Sequence, residues 1–264
     1  NPMNASILQQ FTPAPMLYAP LPYTDKAAMR APIHRKARKS DTYNILFFGF
    51  LGSTNRRLQP FLEAFSESPV RDRFTITLAG IYPENEVTQW IQKFGIQKHV
   101  RLRGYLDDDA LDGLLASSDL AMNLRWPSRG ESSATLLRIW NHSLPSIVTD
   151  TNFYSTLPRD AVSFVSPQRE KEEIKEHLQA FANNPEPYFK QGLNGRKHLE
   201  TLNSVEAFVS SLKDFLPVVE QWRGKVYLQQ FGRALARNYL AGYPDPDCLS
   251  GLANRCAHEI ATWA

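Results

Sequence analysis

Six short apolar runs alternate with segments whose apolar residues recur every three or four positions, and this pattern organises the middle of the chain. Residues 44–50 form the first run, apolar enough for burial on both faces of a sheet. Residues 58–66 follow with Leu58, Phe61, Leu62 and Phe65 at helical core spacing. The alternation continues with a strand at 74–79 closed by Gly80, a helix at 84–94 ending at Gly95, and a strand at 100–103. A helix with an acidic first turn covers 107–116, then come a strand at 120–124, a helix at 132–141, and strands at 146–149 and 162–165. Strands interleaved with helices predict an α/β fold, a doubly wound parallel six-stranded Rossmann-like sheet with right-handed crossovers. Additional C-terminal helices are expected at 169–182, 186–201 and 204–215, a longer amphipathic one at 218–241, and a short one near 249–262.

Before this core the pattern fades. Residues 1–43 carry six of the 18 prolines and the basic cluster His34-Arg-Lys-Ala-Arg-Lys39, with one short strand expected at 16–19. The expected organisation is a proline-rich basic linker over 1–43, a Rossmann-like domain over 44–217 and a helical extension over 218–264.

Composition narrows the class without choosing a function. The 264 residues are 42% hydrophobic and 22% charged, as in globular proteins, and a net charge of +3 gives no electrostatic case for nucleic acid. The longest apolar run, 45–52, is too short to span a bilayer, and no export signal marks the start, so a cytoplasmic location is expected. Cys248 and Cys256 read as free thiols, and the histidines show no metal-ligand spacing, so no metal and no cofactor is expected. Asp107-Asp-Asp109 reads as a helix opening whose carboxylates complement the dipole.

The order 3-2-1-4-5-6, common for such sheets, makes strands one and four neighbours and opens a crevice at their carboxyl ends. Two loops leave there, Gly49-Phe-Leu-Gly-Ser-Thr-Asn-Arg-Arg57 and Arg125-Trp-Pro-Ser-Arg-Gly-Glu131, and they are the core's richest in glycine plus arginine. Gly52 and Ser53 allow close backbone approach, and either Arg56 or Arg57 can reach a phosphate pair; spacing does not choose between them. Arg125, Arg129, Gly130 and Glu131 then lead into a helix start whose amides and dipole suit a phosphate. Glu131 either accepts from a sugar hydroxyl or caps the helix. Seven residues on, at about 100° per residue, Arg138 shares its helical face, with Thr135 between them.

The run Gly130-Glu-Ser-Ser-Ala-Thr-Leu-Leu-Arg138, continuing to Pro145 and then Asn152-Phe-Tyr-Ser-Thr-Leu-Pro158, resembles the donor-binding domain of retaining glycosyltransferases of the GT-B fold, family 4 or group 1 type. The resemblance covers about 43–217. It implies a domain that holds a nucleotide-diphosphate sugar, with the basic residue on Arg56 or Arg57 against the diphosphate and Glu131 on a sugar hydroxyl as the catalytic candidate. The backbone of Ser132, Ser133 and Ala134 would cradle phosphate oxygens, and Tyr105 would line the base pocket. The donor-binding set it implies is therefore Gly52, Ser53, Arg56, Arg57, Tyr105, Arg125, Arg129, Gly130, Ser132, Ser133, Thr135 and Arg138. The sequence departs from the family pattern at Ile139, where a second glutamate usually stands, and at Phe50, where an arginine is usual.

Such enzymes carry the acceptor site on an N-terminal Rossmann-like domain, which residues 1–43 cannot build. The resemblance thus implies the C-terminal half of a longer hexosyltransferase, serving glycan or surface-polysaccharide synthesis. Its partners would be a nucleotide-diphosphate sugar and an acceptor glycan or lipid-linked sugar, with no nucleic acid and at most peripheral membrane contact through the basic helix at 218–241. The half alone should turn over little. The competing readings are a non-catalytic scaffolding or glycan-binding module of the same fold, and a sugar-nucleotide epimerase.

Overall fold

The computed structural model describes residues 2–12, 14–23, 31–37, 42–52, 54–128 and 130–240, with 251 and 254. The chain divides into two compact units, one of Asn1–Asn4 with Pro20–Phe208 and the other of Ala5–Ala19 with Val209–Ala264. The first holds a six-stranded sheet in the order β3-β2-β1-β4-β5-β6. Its strands are β1 (Tyr43–Phe50), β2 (Phe74–Ile81), β3 (Val100–Gly104), β4 (Leu120–Asn123), β5 (Ser146–Thr149) and β6 (Ser163–Val165), and every pairing is parallel. The order and direction are those expected from the alternating pattern.

β1 is central, so both of its faces are covered and its side chains alternate between two cores. Tyr43, Ile45 and Phe47 enter one core with Phe61, Leu62 and Phe65 of α2 (Leu58–Ser66). Leu46 and Phe48 enter the other with Leu136, Ile139 and Trp140 of α5 (Ala134–Asn141). The helices after β1 and β4 therefore lie on opposite faces, which is what opens a crevice between those strands. Aromatic edges stiffen the first core: Tyr43 meets Phe181 with centroids 5.1 Å apart at 86°, and Phe47 meets Phe61 at 5.6 Å and 70°.

Helix boundaries follow local chemistry. α3 (Glu84–Lys93) ends before Gly95, whose φ of 65° is the left-handed cap expected there. Asp107 caps α4 (Asp108–Ser117) by accepting from the Ala110 N–H at 2.8 Å. β2 runs through Gly80 to Ile81 and is not closed by the glycine. After α6 (Asn152–Ser155) and β6 come α7 (Glu170–Asn183) and α8 (Glu186–Leu202).

Three expectations outside the core change. No strand forms at 16–19; instead α1 covers Pro2–Gln9. The helices expected at 204–215 and 218–241 are one helix, α9 (Val205–Leu240), which runs through Pro217; a single proline forfeits one backbone bond, and favourable residues on both sides carry the helix past it. Residues 31–37 are no loose linker, because Arg35 donates to the carbonyls of Leu115, Ser118, His142 and Ser143 at the ends of α4 and α5, at 2.7–2.9 Å. The helix expected near 249–262, with both cysteines, lies almost wholly outside the described residues.

Candidate functional site

The loops after β1 and β4 are joined across the crevice by a bond from the Trp126 N–H to the Asn55 carbonyl, 2.7 Å long. β5 supports the second loop from its far side: the Thr149 hydroxyl accepts from the Arg125 N–H at 2.9 Å, and the Asn152 amide donates to the Ser128 carbonyl at 3.1 Å.

Between them lies Arg56, only 3% exposed. One Nη donates to the Phe48 carbonyl at 2.9 Å, while Nε and the other Nη are buried and have no hydrogen-bond partner among the described residues. Burial, and then the neighbouring Arg125 cation, push its pKa down to about 10; Tyr154 and Glu131 oppose the shift. Arg125 itself is half-buried and holds the Glu131 carboxylate at 2.9 Å. The Arg56 guanidinium thus lies buried beside a second cation whose carboxylate partner is Glu131.

Beside Arg56 the ends of β1 and β2 form an apolar cavity of about 240 Å³, lined by residues that include Phe48, Gly49, Phe50, Gly80, Ile81, Tyr105, Leu106 and Leu111. Gly49, one of its lining residues, adjoins the arginine: a Cβ there would sit 2.9 Å from the Arg56 Nη. Gly49 and Gly80 are partners in register, at φ 108° and 118°, and a Cβ on Gly80 would lie 2.0 Å from the Gly49 carbonyl oxygen. Tyr105 stands at the cavity, 79% exposed. A flat ring entering there meets apolar walls and an exposed phenol.

The structure separates the two adjacent arginines that spacing left equivalent. Arg57 takes a left-handed backbone (φ 58°) at the start of α2 and turns away, forking onto Glu170 at 2.7–3.2 Å. Arg138 also leaves the crevice. Ser133, not Glu131, caps α5, its hydroxyl accepting from the Leu136 N–H at 3.1 Å and from the Asn123 amide at 3.2 Å. Because α5 begins only at Ala134, Glu131 lies outside it and the shared face with Arg138 does not exist. Arg138 pairs with Asp108 at 2.8 Å and Asp112 at 3.2 Å on α4.

Gly130 is buried at φ 83° with its N–H on the Ser128 hydroxyl, and Ser132 is half-buried beside it. Thr135 faces Gly49, 4.0 Å from where a Cβ there would stand. Gly52 lies with Arg57, Glu86 and Trp90 around a second cavity of about 340 Å³. Ser53 and Arg129 fall outside the described residues. Ile139, at the usual place of a second glutamate, is fully buried in the core.

Tyr154 and Glu170 were not legible as site residues. Tyr154 is fully buried, its hydroxyl has no partner among the described residues, and it faces Arg56 electrostatically. Its sequence context is an ordinary short helix after β5, and only the fold brings it to the crevice. Among the described residues no group of three or more His, Cys, Asp or Glu is placed to hold a metal, and no helix is long and apolar enough to cross a membrane.

A doubly wound sheet with cationic loops at its switch point is the class of α/β domain whose ligand crevice lies at the carboxyl ends of the strands. The family model described as glycosyl transferases group 1 matches residues 42–184, more than half of the chain, and the protein belongs to that family. No curated protein sequence matches. Among solved structures, the chain is similar to Anabaena Alr3699/HepE in complex with UDP, at 14% identity and TM-score 0.59, over 67% of this chain and 49% of that one. It is similar to sucrose-phosphate synthase from Thermosynechococcus elongatus at 18% identity and TM-score 0.55, over 73% of this chain and 46% of that one. The C-terminal domain of the group 1 glycosyl transferase LpcC from Francisella tularensis aligns at 17% identity and TM-score 0.53, over 62% of this chain and 88% of that one. These likenesses show the fold, that of a GT-B C-terminal domain; the chain spans about half the length of the HepE and sucrose-phosphate synthase structures.

Proposed function

We propose that this chain binds the donor of a retaining hexosyltransferase, a nucleotide-diphosphate sugar, and presents it to an acceptor hydroxyl on another domain. The observation that carries the reading is Arg56: a buried guanidinium with two unpartnered nitrogens, beside Arg125 and an apolar cavity. A diphosphate would accept from the unpartnered Arg56 nitrogens beside Arg125, and the cavity would take the base against Tyr105. In transfer, the bond from the sugar C1 to the diphosphate oxygen breaks with its electron pair on the nucleotide. The acceptor oxygen forms the new bond to C1 and gives up its proton to the departing diphosphate oxygen. Charge grows on the departing diphosphate, so Arg56 and Arg125 would act chiefly as electrostatic stabilisers, with Glu131 orienting Arg125 and accepting from a sugar hydroxyl. The proposed acceptor is a glycan or lipid-linked sugar.

Ile139 favours one alternative. Without a carboxylate there, a principal ribose contact of the family is lost, which suits a nucleotide-fold module that scaffolds or binds glycans without transfer. Calorimetry on this chain separates the readings. UDP, GDP or dTDP should bind with Kd below about 1 mM, and Arg56→Met should abolish it. No binding by any of the three would overturn the donor reading.

A further inference from the structure

Arg57 occupies a backbone conformation that side chains other than glycine rarely adopt, φ 58°, at the first turn after the crevice loop. Something must hold it there. Among the described residues its guanidinium pairs with Glu170, where Nε donates at 2.8 Å and 3.2 Å and one Nη at 2.7 Å. Glu170 is 4% exposed and opens α7, so the α7 dipole also favours its charge. The pair therefore fixes, from a separate element, both the backbone and the side chain of the residue directly after Arg56. With Arg57 committed to α7, the chain can turn only the preceding guanidinium into the crevice.

We infer that Glu170 is a positioning residue for donor binding: through its fork with Arg57 it sets the loop turn that aims Arg56 at the diphosphate. The inference rests on the donor reading above. It says why one arginine of two serves the ligand, and it places a determinant of phosphate affinity over a hundred residues away in sequence, on a helix the crevice loops do not include. Glu170 would touch no ligand atom. Its effect should therefore appear only in the part of the affinity that the phosphates provide.

The test compares UDP with uridine by calorimetry on the full chain and on Glu170→Gln, Arg57→Ala, their double variant and Arg56→Met. Arg57→Ala removes the pair while keeping the left-handed position costly, so it keeps the test open should Glu170→Gln fail to fold. The expected result is a roughly tenfold loss of UDP affinity in each pair variant, unchanged uridine affinity, and a double variant no worse than either single one. A UDP-to-uridine ratio that stays at its starting value in the pair variants, or that falls additively in the double one, overturns the inference while leaving the donor reading intact. If the unsubstituted chain does not prefer UDP to uridine, or if Arg56→Met keeps that preference, the donor reading falls and the positioning role falls with it.

Discussion

Arg56 is a cation held where a cation is costly. Its pKa is pushed down to about 10, so above that value the unfolded chain binds the proton more tightly. Folding stability contributed by this group therefore rises as pH increases past about 10, and at neutral pH the full penalty is present. An apolar substitute should relieve it. Arg56→Met is expected to raise the stability of the ligand-free chain, on the order of 1 kcal/mol, while removing the stabilisation that UDP confers. Thermal melts with and without 5 mM UDP (about that concentration, well above the expected Kd) read both effects, and a lower ligand-free melting temperature would contradict the account. Ser133 gives a second residue-scale expectation. Its hydroxyl both caps α5 and accepts from the buried Asn123 amide, so Ser133→Ala should cost about 1–2 kcal/mol in urea unfolding.

At the scale of elements, the crevice depends on how β1 and β2 end. A Cβ at Gly80 would lie 2.0 Å from the Gly49 carbonyl, and the φ of 118° is itself unfavourable for alanine. Gly80→Ala should cost about 3 kcal/mol or more and close the apolar cavity, which urea unfolding and the uridine titration would register together. Much at this scale was legible in the sequence. The unbroken apolar run at 44–50 marked a strand buried on both faces, and the spacing of Phe61, Leu62 and Phe65 marked a helix and its core face, because each carries one local signal. The start of α5 was legible only loosely. Glu131 stood as the cap candidate, but serine is the stronger cap, and Ser133 also holds the Asn123 amide beneath, a contact that no local pattern carries. The fate of Arg57 and Arg138 was hidden for the same reason: Glu170, Asp108 and Asp112 reach them only through the tertiary fold.

For the molecule as a whole, basic residues that read as a solvated linker help hold the sheet unit together. Arg35 satisfies carbonyls at the ends of two helices, and Arg35→Ala should lower the stability of the chain by about 2 kcal/mol without changing UDP affinity, as denaturation and calorimetry on one preparation would show. Under the proposed function the crevice holds the donor, and sugar transfer then needs an acceptor held opposite. The central claim is local all the same: the diphosphate goes to Arg56. A crystal structure of this chain with UDP tests it most directly. The expected result is phosphate oxygens within hydrogen-bond distance of the Arg56 and Arg125 guanidinium groups, with uracil in the cavity beside Tyr105. A diphosphate bound instead at Arg57 or Arg138, with Arg56 still unpartnered, would contradict it.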